Sequence, residues 1–235
     1  MTFKDHKLDF RNIPTYSIVD AARYLTIPVG TLRSWLQGRY YPVEDGKRFF
    51  EPLIQRPDPD IPQLSFTNLV EAHVLRAIRE IHGVRLDKVR TALDYIDQQF
   101  DIPHPLARIE FQTDGISLFI ESMGRLINAS EKGQLEMQNV LKHLLERIEW
   151  DKGGIAARLF PLTRIKDQNA PKILVIDPRI SFGRPILTGT GIPTAILAER
   201  YKAGEAMDNL AEDYGCDRLQ IEAAIRCELT MQQAA

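Results

Sequence analysis

The chain has 235 residues, enough for one large domain or two to three small ones, and its 44% hydrophobic and 26% charged residues are ordinary for a soluble globular protein. Its formal net charge of −2 at pH 7 argues against a general polyanion binder, so any nucleic-acid contact must come from a local patch. The first ten residues lack a signal-peptide core, and no apolar run is long enough to span a bilayer. We therefore expect a cytoplasmic protein without a membrane segment.

The spacing of cysteines and histidines argues against a metal site. Cys216 and Cys227 lie eleven residues apart, which places them on one side of a helix rather than at metal-ligand spacing. We expect both to be buried packing residues of a reducing compartment. Acidic residues form no recognisable acid/base pair or nucleophile arrangement, so we predict no enzymatic activity, no metal and no cofactor. The histidines are scattered: His6, His73, His82, His104 and His143.

Residues 16–38 predict two short helices joined by a tight turn, which is the spacing of a helix-turn-helix. Ser17 can cap the first helix, and Asp20 follows at capping-box spacing. Pro28 disfavours helical geometry at the residue before it and therefore ends that helix. The second helix, 31–36, turns its apolar side inward and leaves polar side chains outward.

A hairpin is predicted directly after the second helix. Asp45 and Gly46 form a strong two-residue turn signal between two runs that contain aromatic residues. The hairpin is either a wing that binds phosphates or an ordinary surface hairpin. On the first interpretation, the helix reads base edges in the major groove while the wing binds the DNA backbone. The candidate DNA-binding residues are Thr31, Arg33 and Ser34 on the helix, with Arg39, Lys47 and Arg48 on the wing.

Two amphipathic helices complete the N-terminal domain, for which we predict the bounds 1–101. They follow the proline-rich stretch "QRPDPDIPQ", which is typical of a linker or extended loop. The first of the two helices is predicted to end at Gly83. Their apolar stripes are Val70, Val74, Ile78 and Ile81 on the first, and Leu86, Val89, Leu93, Ile96 and Phe100 on the second.

The segment 102–171 is predicted to be a small α+β linking domain. Its first part, "ARIEFQTDGISLFIESMGRLIN", favours two pairing strands around an Asp114-Gly115 turn. A helix with a wide apolar face follows over 135–148, and "AARLFPLT" and "KILVID" indicate two more strands. Nothing in this segment is typical of a catalytic site.

A glycine-rich stretch, "SFGRPILTGTGIP", lies in the C-terminal domain, 172–235. A phosphate-binding P-loop needs G-x-x-x-x-G-K-[ST], but Gly183 and Gly189 are six apart and no lysine follows. A dinucleotide fingerprint would need a third glycine at Thr194. We instead interpret Gly183 as the turn of a short hairpin between 179–180 and 185–187, with a helix beginning after Pro193.

Three short helices are predicted next, over 194–203, 207–214 and 218–228. Gly204 and Gly215 separate them, and Asp217 caps the third, with Gln220 at capping-box spacing. The three form a trihelical unit of helix-turn-helix type. The whole chain is therefore predicted to be α+β and mainly α, with an N-terminal winged helix-turn-helix, a central α+β unit and a C-terminal trihelical domain.

The C-terminal domain resembles the uncharacterised-domain family numbered 433, whose members are predicted antitoxins of VapBC-like bacterial toxin–antitoxin systems. The resemblance runs from "IDPRISFGRPILTGTGIPTAILAERYKAGEAMDNLAEDYG" to "LQIEAAI". Its signature is Gly183-Arg184-Pro185, Gly189-Thr190, Ile192-Pro193, Gly204, Asp213-Tyr214 and the last amphipathic helix. The N-terminal hundred residues resemble, more loosely, a MerR-type winged helix-turn-helix, and the combination resembles the longer VapB-type antitoxins.

The resemblance implies a bacterial antitoxin that neutralises a PIN-like ribonuclease toxin encoded beside it and represses its own operon, as a homodimer on promoter DNA. Arg184 is the toxin-binding candidate, because arginine pairs with clustered nuclease carboxylates; the alternative is a solvated surface charge. Family members usually carry basic residues where this chain has Thr188 and Gly191, and a serine cap at Ala206, so we assign DNA binding to the N-terminal domain. The alternative is a MerR-like transcription regulator without a toxin partner.

Overall fold

The computed structural model describes residues 9–43, 46–82, 86–100, 103–127, 129–161 and 171–233. Its α-helices are α1 Ile18–Leu25, α2 Val29–Gln37, α3 Phe66–His82, α4 Leu86–Phe100, α5 Ile116–Ile127, α6 Glu131–Leu145, α7 Thr194–Lys202, α8 Met207–Tyr214 and α9 Arg218–Gln233. Its strands are β1 Tyr16–Ser17, β2 Arg39–Val43, β3 Gly46–Phe50, β4 Gln63–Leu64, β5 Ile148–Trp150, β6 Ala156–Leu159, β7 Leu174–Val175 and β8 Ile186–Leu187.

The described strands pair as antiparallel doublets, β1 with β4, β2 with β3, β5 with β6 and β7 with β8. Short strand pairs of this kind bury little apolar area by themselves and depend on the helices for their stability. Helices supply most of the described residues. The predicted α+β, mainly α fold is therefore confirmed.

Local signals at the start of the chain form the helix-turn-helix as predicted. The Ser17 hydroxyl accepts the Asp20 backbone N–H at 3.0 Å and donates to the Asp20 carboxylate at 2.7 Å. Thr26 adopts a left-handed conformation, φ 53°, which ends α1 before Pro28. The inward face of α2 is buried, as the periodicity predicted, through Leu32, Trp35 and Leu36.

One hydrophobic core continues from the helix-turn-helix through the middle of the chain to the C-terminal helices. It includes Trp35 of α2, Phe119 of α5, Leu141 of α6 and Ile221 of α9, all with under 2% of their surface exposed. Helix α1 also contacts α9, so the two ends of the chain pack against each other. The division into domains at residues 101 and 171 stays a prediction, and the core runs across both positions.

The predicted hairpin around Asp114 and Gly115 is wrong. Residues Phe111–Gly115 form a turn of π-helix that runs directly into α5. Apolar residues recur there at helical spacing and are buried, and the rings of Phe111 and Phe119 meet edge to face at 6.0 Å. A Cβ on Gly115 would lie 2.8 Å from the Phe111 ring, so this glycine allows close packing inside a helix rather than a turn.

The predicted hairpin between 179–180 and 185–187 is also wrong. Strand β8 pairs instead with β7, with Leu187 opposite Leu174 and Ile186 opposite Val175. The intervening residues include a short 3₁₀ turn, Ser181–Gly183. The buried carboxylate of Asp177, described below, bends the chain before residue 180 and leaves no strand there.

Strands in "AARLFPLT" and "KILVID" are confirmed as β6 and β7, and the helix predicted over 135–148 lies at Glu131–Leu145.

The cysteines do not share a helix. Gly215 ends α8 in a left-handed conformation, and Asp217 opens α9 by accepting the Leu219 backbone N–H at 2.7 Å. Cys216 therefore lies in the connection, while Cys227 lies within α9, and both cysteines are half-buried rather than buried. The predicted helix ends are close to the observed ones, except that α9 continues to Gln233. The turn signal at Asp45 and the helix stop at Gly83 lie outside the described residues.

The buried His73 on α3 should make the stability of the fold fall at acid pH. Burial lowers the pKa of this imidazole from 6.5 to about 3. Between those values the unfolded chain binds a proton that the folded chain does not, so the free energy of unfolding falls as the pH falls, by up to about 1.4 kcal/mol per pH unit. We expect His73→Leu to flatten this part of the profile, measured by urea unfolding at several pH values.

The exposed His143 provides a matched control. His143→Gln should keep the wild-type dependence of stability on pH. The same slope below pH 6.5 in His73→Leu and in the wild type would contradict the prediction.

Candidate functional site

The exposed side of α2 carries the predicted helix contacts. Arg33 is exposed and Ser34 is half-exposed, and with Gly30 and Gln37 they recur at i, i+3, i+4 and i+7 along one face. Thr31 is half-buried and borders this face rather than lying at its centre. The structure thus brings Arg33 and Ser34 together on an accessible face and places Thr31 beside them.

The hairpin β2–β3 separates its basic residues onto two faces. Arg39 lies opposite Phe50 and Arg48 lies opposite Tyr41, so both arginines share one face. Lys47 lies on the other face, beside the ring pair of Tyr40 and Phe49, whose centroids are 5.0 Å apart. All three basic side chains are exposed: Arg39, Lys47 and Arg48.

The base of the hairpin is fixed against the helices. The Arg90 guanidinium on α4 donates to the carbonyls of Glu51 and Pro52 and lies 4.9 Å from the Phe50 ring centroid. Gly38, with φ +72°, ends α2 against Phe49 and the Phe50 carbonyl so closely that no Cβ fits. The hairpin is therefore held in one orientation relative to α2. Sequence reasoning missed Arg90, because its carbonyl partners lie 38 and 39 residues away.

A cavity of about 750 Å³ lies beside this base, between the residues after β3, helices α3 and α4, and the loop at 103–106. Glu71 is buried at its edge, where its carboxylate lies 3.0 Å from His104 Nδ1 and accepts from Asn68 at 2.9 Å. The volume of this cavity is in the range of small-molecule sites.

The second candidate region is the loop after β7, which a buried carboxylate organises. Asp177 accepts the Arg179 backbone N–H at 2.9 Å, the Arg179 guanidinium at 2.7 and 2.9 Å, and Arg158 Nε at 2.9 Å. Burial alone would raise the pKa of this carboxyl, but the hydrogen bonds from Arg179 and Arg158 hold it at about 2. Asp177 is thus ionised at neutral pH and fixes the start of the loop.

The turn Ser181–Gly183 has left-handed backbone at three successive residues, with φ of 50°, 56° and 71°. Gly183 lies against Tyr16 of β1 so closely that a Cβ would overlap the Tyr16 hydroxyl and approach its Cζ to 2.9 Å. The Tyr16 hydroxyl is buried without a hydrogen bond to a described residue, and burial raises the Tyr16 pKa above its usual range. The C-terminal loop therefore rests on the N-terminal domain.

Two side chains leave this loop toward solvent. Arg184, the predicted toxin contact, is exposed and makes no ion pair with a described residue. Phe182 is 86% exposed, more than any other large hydrophobic side chain in the described parts of the chain. Sequence reasoning did not select Phe182, because an aromatic residue at a turn is normally expected to fold inward.

These features define a helix-turn-helix protein in which three further helices, α7 to α9, follow at the C-terminal end. Residues 14–93 match the family described as a putative DNA-binding HTH domain, and residues 174–226 match the protein family of unknown function DUF433. The resemblance to the family numbered 433 at the C-terminal end is therefore confirmed, as is a helix-turn-helix at the N-terminal end.

Similarity to known proteins extends along almost the full chain. A protein described as putative antitoxin VapB45 of Mycobacterium tuberculosis is 28% identical over 94% of this chain and 97% of its own length. The uncharacterized protein Rv2308 of the same organism is 23% identical over 92% of this chain and 89% of its own. The crystal structure of Rv2018 from that organism has the same fold, with a TM-score of 0.65, 23% identity and coverage of 93% and 98% of the two chains.

The described residues contain no helix long and apolar enough to cross a membrane. Within the same residues, no group of three or more His, Cys, Asp or Glu is arranged to hold a metal ion.

The contact between Gly183 and Tyr16 yields a stability prediction. Gly183→Ala should lower the free energy of unfolding by about 1–3 kcal/mol, because the new Cβ overlaps the phenol and also strains a left-handed residue. In a Tyr16→Phe background the loss should be smaller, since the overlapping hydroxyl is absent. A double-mutant cycle by chemical denaturation measures the difference.

Gly189 offers a control for the backbone term. It also has a left-handed φ, +81°, but its Cβ would meet nothing within 4 Å. Gly189→Ala should lower the free energy of unfolding only through the strain of a left-handed alanine, and its effect should be the same with and without Tyr16→Phe. Zero coupling between Gly183→Ala and Tyr16→Phe would show that the two residues do not contact each other in this way.

Proposed function

We propose that this protein is the antitoxin of a bacterial type II toxin–antitoxin system, which binds and neutralises a PIN-like ribonuclease toxin and represses its own operon by binding promoter DNA. The observation that carries the proposal is full-length similarity to a protein described as a putative antitoxin, combined with an exposed basic helix-turn-helix. The proposed role requires binding surfaces and no catalytic residue of its own.

Promoter binding is proposed for α2 and the wing. Arg33 reads a base edge in the major groove, assisted by Thr31 and Ser34, because a bidentate arginine–guanine pair discriminates between bases. Arg39, Lys47 and Arg48 bind phosphates, which position the helix without reading sequence. As a homodimer, the protein would recognise half-sites about one helical turn apart.

Toxin binding is proposed for Arg184. A PIN-like nuclease holds its metal with clustered carboxylates, and a guanidinium can bind such a cluster through two parallel hydrogen bonds. Arg184 is exposed and free of ion pairs with described residues, so no internal salt bridge has to break before it binds.

A second candidate function is a transcription regulator without a toxin partner. The cavity beside the wing supports it, because Arg90 lines that cavity and also holds the end of the wing. A ligand there would be sensed by the element that contacts DNA. The genes beside this one distinguish the two functions. A neighbouring gene for a small PIN-like protein would favour the antitoxin, whereas neighbouring genes for unrelated enzymes or transporters would favour the transcription regulator.

Substitutions on α2 and on the wing should have different effects on DNA binding. Lys47→Ala with Arg48→Ala should weaken binding to the promoter and to unrelated DNA equally, and flatten the dependence of log K on log salt by about 0.9 per lost phosphate contact. Arg33→Ala should relax sequence preference, with a loss of about 1–3 kcal/mol confined to the specific site. Fluorescence anisotropy at several salt concentrations measures both.

The single variants Lys47→Ala and Arg48→Ala then assign the contact to one face of the wing or to both. Arg125→Ala changes an exposed arginine on α5 and should leave DNA binding unchanged. Normal promoter binding by the double wing variant would disprove the wing assignment.

Co-expression with the neighbouring gene product tests the toxin partner. The two proteins should purify as a complex, and addition of this protein should suppress the ribonuclease activity of the partner. Arg184→Ala should lower the affinity for the toxin and so restore the ribonuclease activity of the toxin, because the toxin carboxylates lose the cation that pairs with them.

Arg226→Ala, on an exposed arginine of α9, is the matched control and should still suppress the ribonuclease. Failure to form any complex would contradict the toxin partner. A complex that Arg184→Ala leaves intact and inhibited would contradict only the role of Arg184.

A further inference from the structure

We propose that Phe182 is the apolar anchor of the toxin-binding surface, inserting into an apolar pocket of the toxin that carboxylates surround, with Arg184 pairing at the rim. This inference rests on the proposed antitoxin function and names a residue whose loss should weaken toxin binding at least tenfold. It concerns a protein partner rather than nucleic acid or a small ligand.

The backbone at this position is unfavourable for a phenylalanine. Ser181 and Phe182 both have left-handed φ values, 50° and 56°, although neither is a glycine. Bulky residues rarely adopt this conformation, because their Cβ approaches the neighbouring carbonyl oxygen. Glycine or asparagine would satisfy the same turn with less strain.

The surrounding structure holds the turn in this conformation. Gly183 is confined against Tyr16, and the Asp177 carboxylate fixes Arg179 before the turn. The Ser181 hydroxyl donates to the Gly191 carbonyl at 3.1 Å, which attaches the turn to the loop before α7. Strain that persists because its surroundings enforce it is a mark of functional sites.

The same residue has an exposed ring. Phe182 is 86% exposed, compared with 72% for Leu219 and 70% for Tyr40. Its ring forms none of the aromatic pairs or cation–π contacts found among described residues. The ring thus contributes little to folding, whereas a rigidly presented aromatic residue is the side chain that most often dominates a protein interface.

The charges around the ring indicate the chemistry of the partner. Arg184 follows Phe182 by two residues and is unpaired among described residues, and Arg179 is exposed on the other side of the turn. Asp177, which neutralises part of this charge, is 99% buried and unavailable to a partner. An acidic rim complements this surface, whereas a purely apolar partner would leave Arg184 desolvated without a counterion.

The test replaces Phe182 with a residue that suits the backbone. Phe182→Asn should leave Tm unchanged or raise it by about 1–3 °C, because asparagine tolerates left-handed geometry. Toxin affinity should fall at least tenfold, mainly through faster dissociation, as expected for loss of a buried anchor. Surface plasmon resonance on the full chain and the purified neighbouring gene product measures both rates.

Further variants separate anchoring from general surface effects. Phe182→Tyr should retain affinity within a few fold, since it keeps the ring. Leu219→Gln, at the exposed start of α9, should leave affinity unchanged. Arg184→Ala should mainly slow association and weaken its salt dependence, because a rim charge acts on the encounter.

Each result has a distinct meaning. A wild-type protein that does not bind the neighbouring gene product contradicts the proposed function itself. Wild-type binding with equal affinity for Phe182→Asn overturns the anchor while leaving the antitoxin function intact. Loss of affinity together with a lower Tm in Phe182→Asn would mean that the ring supports the fold, which also overturns the proposal.

Discussion

The ionised carboxylate of Asp177 is the interaction on which the C-terminal half of the structure depends. It joins Arg158 on β6 to Arg179 and to the backbone of the following loop. A buried charge is costly unless all its oxygens are paired, and here the two guanidinium groups and a backbone N–H satisfy it. Because β6 also exchanges backbone hydrogen bonds with Ile176, the loop leaves the central strands at a fixed angle and delivers Gly183 to Tyr16.

That contact joins the two ends of the chain. Tyr16 lies in β1, which leads directly into α1, and α1 packs against both α2 and α9. Within α9, the buried Glu228 carboxylate accepts the Thr194 hydroxyl at 2.7 Å and so holds the first residue of α7. The proposed toxin surface and the proposed DNA surface therefore share one support, β1 and α1. On this proposal, a toxin bound to the loop after β7 would be in contact with the support, β1 and α1, that also positions α2.

Local signals predicted much of the fold because they act within a few residues. The Ser17 cap with Asp20, the stop before Pro28 and the opening of α9 at Asp217 depend only on neighbours in the chain. The Asp114-Gly115 signal failed because the same dipeptide fits a turn and a closely packed helix, and only the Phe111 ring, four residues away in the helix, decided between them. For the candidate site, Arg33 and Arg184 are exposed in the structure, as binding would require, and strand alternation alone separates Lys47 from Arg48. Only the pairing register places Arg48 on the same face as Arg39, and Lys47 on the face of Tyr40 and Phe49.

The sequence by itself determined most of the helices except α5, several of their caps and breaks, and the resemblance of both ends to known families, because periodicity and capping are encoded in consecutive residues. Only the tertiary structure decided that Asp177 is buried between two arginines, that Gly183 meets a tyrosine 167 positions earlier in the chain, and that Phe182 points into solvent. These are consequences of packing between segments distant in sequence. Because of this packing, the stretch around Gly183 is a rigid support for the exposed side chains of Phe182 and Arg184.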